Sequence, residues 1–157
     1  MMDHKIILPP DYLKKWVRFF WTFDSVETCC HGITLKTFAC RFPRLVFQHN
    51  NGHSAINIDG SKLPVSFFCG LHSKPNTLTF SSSFSLTGIS FYPSAVKTIF
   101  RIDCHELKDE FADIQSFVPH WLEEKLLNTP NQTDRIKSIG DFVYQLILRN
   151  SREDVTA

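Results

Sequence analysis

Glycine is scarce in this chain of 157 residues, at six copies, and none of the six opens a phosphate-cradling loop or a Gly-x-Ser-x-Gly elbow. The commonest nucleotide-binding and serine-nucleophile signatures are therefore missing. Cysteine is odd in number, at positions 29, 30, 40, 69 and 104, with no Cys-x-x-Cys, and the adjacent Cys29–Cys30 pair is poor disulfide geometry. Reduced thiols in a cytoplasmic protein are the expectation. No apolar run approaches a membrane span, and the first thirty residues lack the apolar core of a signal peptide, so no membrane partner is expected. Without secretion, the glycosylation-type triplet Asn131-Gln132-Thr133 carries no meaning. Excess charge is absent too: 17 Lys and Arg stand against 16 Asp and Glu, a net charge of +1. A domain that grips a phosphate backbone by itself concentrates basic residues on one face, and the densest group here, Lys14, Lys15 and Arg18, reads as a solvated edge.

What the chain does have is phenylalanine, at 15 copies, against three Trp and three Tyr. Rings of this size spread along strand-like runs suggest an aromatic-filled barrel or sandwich. The runs are Trp16–Phe23, Thr34–Cys40, Arg44–His49, Ser54–Ile58, Val65–Cys69, Thr77–Ser82 and Leu86–Tyr92. Turn chemistry separates them at Asn50-Asn51-Gly52, Asp59-Gly60, Gly70 and Lys74-Pro75-Asn76. In the first run, alternation puts Val17, Phe19, Trp21 and Phe23 on one face and Trp16, Arg18, Phe20 and Thr22 on the other. Both faces are apolar, which predicts a strand covered on both sides.

A hinge divides the chain. Pro93 cannot donate to a ladder and stops the run ending at Tyr92; Ser94 is placed as an N-cap, and Val96, Ile99 and Phe100 follow at helical spacing. A short helical segment is expected over His105–Ile114, another from Pro119, and a last helix over about Asp134–Arg149. The expected fold is α+β in one domain spanning residues 1–157. An antiparallel barrel or jelly roll of cupin-like kind takes about 9–92, and a helical part takes about 93–150. The polar tail from Asn150 carries no structural signal.

Catalytic patterns are incomplete. His105-Glu106-Leu107-Lys108-Asp109 resembles a zinc-protease helix but offers Asp109 where the second histidine is needed. Cys104 precedes His105, yet neighbours in sequence rarely face one another. His49, His53 and His72 lie in the β half without a His-x-His pair or matching carboxylate. No metal, cofactor or catalytic residue is expected.

The residues resemble the N-terminal domain of AraC-type bacterial transcription regulators, in a poorly characterised branch. The resemblance runs from about Pro9 to Arg149. Its markers are Leu13 with Trp16-Val17 and Phe20-Trp21, Pro43-Arg44-Leu45-Val46-Phe47, Phe68-Cys69-Gly70, Gly88-Ile89-Ser90-Phe91-Tyr92-Pro93, Phe100, and Glu106-Leu107-Lys108-Asp109. Many such domains carry Pro-Asp-Gly before the Leu-Val-Phe strand, where this chain has Pro43-Arg44. The resemblance implies a non-catalytic domain that senses a small-molecule effector, dimerises, or both. DNA contact would belong to helix-turn-helix motifs that do not follow Arg149 here, so the chain is expected to be either the sensor half of a longer regulator or a stand-alone form. For the effector pocket the candidates are Trp21, Arg44, His49 and His72, each a polar handle beside aromatic strands; an inward Arg44 would suit an anion. For a homodimer seam they are Ile136, Ile139, Val143, Leu146 and Ile147, although the same face could pack on its own subunit. A small cupin-like metal-dependent enzyme and a ligand-free interaction module are the alternatives.

Overall fold

The computed structural model describes residues 2–25, 33–36, 41–49, 54–80, 83–114 and 118–156. Cys29, Cys30, Cys40, His53, the Asn50–Gly52 turn and the ends of two predicted strands lie outside them. Ten strands are described: β1 Met2–Ile7, β2 Val17–Ser25, β3 Ile33–Lys36, β4 Arg44–Gln48, β5 Ile56–Ile58, β6 Ser61–Lys62, β7 Ser66–Cys69, β8 Thr77–Phe80, β9 Phe84–Phe91 and β10 Phe111–Asp113. Three helices follow β9: α1 Pro93–Phe100, α2 His120–Leu127 and α3 Gln132–Thr156. One sheet runs β1-β2-β9-β4-β7-β10 and the other β3-β8-β5-β6, with every described pairing antiparallel. The chain is thus mixed α+β. Among the described residues the two sheets remain separate and open at their edges, where the sequence suggested a cupin-like barrel or jelly roll.

Three layers result. One face of the six-stranded sheet packs Leu45, Phe47, Phe68, Ile89 and Phe91 against the helices, in a core with Val96, Ile99, Leu122, Ile139 and Val143. Its opposite face puts Val46, Phe67, Cys69 and Leu86 against Ile56 and Phe80 of the smaller sheet. Strand alternation explains the division, because neighbours along β4, β7 and β9 point to opposite sides. Both faces of the central strands are apolar because both are covered.

Several expectations are corrected. Phe111–Asp113 is a strand on the β7 edge, not helix; only Cys104–Leu107 coils, as a 3-10 turn. β1 and β10 both fall outside the predicted β-rich span of 9–92. Helix α1 starts at Pro93, with Tyr92 as its N-cap, so Ser94 already lies inside it. Proline suits that position because its missing N–H would have had no helical partner. The tail is also less idle than its polarity suggested: the buried Asn150 side chain donates to the carbonyls of Thr98 (3.1 Å) and Ile99 (2.7 Å), closing the end of α1.

The α3 residues proposed for a dimer seam are used within the chain. Ile139, Val143, Leu146 and Ile147 are buried in the helix-side core, and Ile136 packs against it half-buried. An amphipathic stripe looks the same whether it covers its own sheet or a partner, and here the sheet takes it. Ile139→Ala is expected to destabilise the monomer by about 2–5 kcal/mol in urea unfolding. Unchanged unfolding together with a lower sedimentation coefficient would instead return that face to an intermolecular role.

Candidate functional site

The face of the large sheet that looks toward the small one is built from three cross-strand rows. In antiparallel pairing, residues directly opposite one another share a face. The first row reads Phe111, Cys69, Arg44, Ser90, Phe19 across five strands. The second reads Phe67, Val46, Gly88, Trp21, Ile6. A third carries Gln48, Leu86, Phe23 and His4. All of these residues except Gly88 and Gln48 line a cleft of about 420 Å³, with Ile56, Leu78 and Phe80 of the small sheet opposite. Ile6, 59% exposed, stands at its rim.

Gly88 makes the space. A Cβ built there would lie 2.0 Å from Cε2 of Trp21, so the indole rests directly on bare backbone. No other residue type permits that approach, which gives the Gly-Ile-Ser-Phe-Tyr-Pro segment a physical reason for its first residue.

The polar end is cationic. Arg44 Nη2 lies 3.6 Å from Cys69 Sγ, a weak contact, and Arg44 Nε is buried with no hydrogen-bond partner among the described residues. Arg18 Nη1 donates to Ser90 Oγ at 3.2 Å, and its guanidinium lies 3.4 Å from the centroid of Phe42. Strict alternation had placed Arg18 on the helix side. A register irregularity between Val17 and Phe19 turns Arg18 and Phe19 to the cleft side together.

Of the four predicted pocket residues, Trp21 and Arg44 line this cleft. His72 stands behind it, buried, with its ring 4.6 Å from Phe111 and its Nε2 unpartnered among the described residues. Burial chiefly lowers the His72 pKa and Arg44 adds to this, while Asp109 opposes it. His49 is elsewhere. It shares the helix side with Phe47, as their two-residue spacing demands, and lines a second cavity of about 300 Å³ with His120, Glu123 and Glu124. Its Nε2 meets Thr87 Oγ1 at 2.8 Å, and Thr87 in turn donates to Gln132 at the start of α3. Burial, reinforced by the Arg135 charge, pushes the His49 imidazole down to about 3. Sequence reading missed Arg18, Ser90 and Phe111; the parity of Arg44 with Val46, against Phe47 with His49, could have separated Arg44 from His49.

Cys104 is buried, its thiol donating to the Pro93 carbonyl at 3.2 Å, and burial raises its pKa. Among the described residues no group of three His, Cys, Asp or Glu could hold a metal ion, and no helix is long and apolar enough to cross a membrane.

Two antiparallel sheets facing one another, with helices on the outer side of the larger, define a mixed α+β domain with a cleft between its sheets. Residues 5–113 match the model of a family described as a domain of unknown function (DUF6597), and the chain belongs to that family. The match ends with β10, taking in the second half of β1, the remaining strands and α1 but neither α2 nor α3. No curated protein and no solved structure matches the chain.

Proposed function

We propose that this chain is the effector-sensing domain of an AraC-type transcription regulator, with the cleft between the sheets as its ligand site. The cleft carries the reading: an aromatic-walled space of about 420 Å³ with a few convergent polar groups at one end is the usual form of a small-molecule site. The resemblance over Gly88–Pro93 supports it as well, since that segment supplies Ser90 to the cleft and, in Gly88, the seat of the Trp21 ring that lines it. In this reading the two facing sheets are the counterpart of the sensor barrel, and the helical layer relays ligand occupancy outward. Dimerisation, if it accompanies sensing, uses a surface other than the buried stripe of α3.

Thermal denaturation against a panel of small metabolites tests the proposal. A true effector at a hundred times its Kd stabilises the folded chain by about 2.7 kcal/mol. For a domain of this size that is a rise in Tm of roughly 5–10 °C. A panel that leaves Tm unchanged throughout would favour the ligand-free interaction module instead.

A further inference from the structure

We infer that the ligand of the cleft, taken as the effector site proposed above, is a carboxylate with an aromatic or branched apolar body. Among the described residues, the cleft lining holds two arginines and no aspartate or glutamate. Arg18 is steadied by Ser90 and the Phe42 ring, and no carboxylate among the described residues forms an ion pair with either guanidinium. The carboxylate near His72, that of Asp109, is occupied by the backbone N–H (2.8 Å) and hydroxyl (2.9 Å) of Ser73. Arg44 is therefore a planar donor fork in an apolar cleft, with one N–H buried and unpartnered among the described residues.

A buried donor without a partner is costly, and a charged one more so. A carboxylate is its best complement, because guanidinium and carboxylate match in a bidentate geometry. Register fixes where such a group would lie. Arg44 is directly opposite Ser90 on β9 and Cys69 on β7, so the anion meets the first row while Trp21 and Val46 of the second row take the apolar body. One end of the molecule is thus read by charge and the other by aromatic surface.

The test is a chemical-shift titration of the full chain with benzoate, 2-naphthoate and biphenyl-4-carboxylate. Each acid is paired with the alcohol that replaces its carboxylate by CH₂OH, and the Trp21 indole N–H and Gly88 amide are followed. At least one acid is expected to bind about tenfold or more tightly than its alcohol, the margin of a charge-assisted pair. In Arg44→Gln the two should come within about twofold, with alcohol binding kept as the sign of an intact cleft. If that variant does not fold, Arg44→Lys, which keeps the charge and loses the fork, should narrow the gap partway. Equal binding of acid and alcohol by the unaltered chain would overturn the carboxylate assignment and leave the cleft as a ligand site. No response of Trp21 or Gly88 to any compound would overturn both.

Discussion

Gly88→Ala is expected to destabilise the protein by about 2–3 kcal/mol, at the upper end of overpacking costs, and to lower Tm by roughly 5–10 °C. The backbone at Gly88 is in an ordinary strand conformation, so the cost is steric and not conformational. A methyl group there meets Cε2, Cζ2 and Nε1 of Trp21 at 2.0, 2.1 and 2.5 Å, distances that no small adjustment relieves. The indole must swing off the sheet, toward the cleft that it lines. Tryptophan fluorescence should therefore shift along with stability, and ligand affinity should fall. Repeating the substitution in a Trp21→Ala background isolates the contact: removal of the ring should abolish most of the cost of the added methyl. A full penalty in both backgrounds would mean that Gly88 is required for some reason other than the indole.

The second large effect is a dependence of stability on pH that traces to His49. Its imidazole titrates at about 3 in the folded chain against 6.5 for an ordinary histidine. Above pH 6.5 it is neutral in both folded and unfolded states, and its protonation contributes nothing to the balance. Between 6.5 and about 3 only the unfolded chain takes up the proton, so stability falls as pH falls. By pH 5 the loss attributable to this residue is about 1–2 kcal/mol. Urea unfolding of the parent chain and of His49→Gln, at pH 7 and pH 5, measures it: the variant should lose clearly less stability on acidification. His72, lowered in the same sense, leaves a residual slope of the same sign. Identical slopes in the two proteins would show that His49 takes up protons freely in the folded state.

These two residues lie on opposite faces of one sheet, and each shows how the layers are held. On the cleft side a glycine without a side chain lets a ring lie flat. On the helix side polar groups are carried inward to anchor α3. Gln132 donates to Asp24 at 3.0 Å and to the Leu86 carbonyl at 3.1 Å, and Arg135 reaches Ser85 and the Thr129 carbonyl. His49 is drawn into this network through Thr87, which is why it is desolvated. Its place is at the joint between sheet and helix, and not in the cleft with Trp21 and Arg44, where the sequence reading had put it.

Much of the local structure follows from residue types alone. Short apolar runs bounded by turn residues predict β4, β7 and β9; Asp59-Gly60, both at positive φ, makes the turn between β5 and β6; and Pro93 ends β9 and begins α1. The apolar stripe of α3 was equally plain. These features were legible because each depends on chain geometry over a few residues, where propensity and periodicity act. What the stripe covers was decided by tertiary structure, since a monomer core and a dimer seam demand the same pattern. Strand pairing over long separations likewise set which side chains meet. The 46-residue separation of Arg44 and Ser90 has no counterpart in sequence periodicity, yet register makes them neighbours. A short run such as Phe111–Asp113 becomes a strand only because the β7 edge is there to bond it. Local rules thus determined the elements, and the cleft with its cationic end arose from how two sheets stack and where their registers fall.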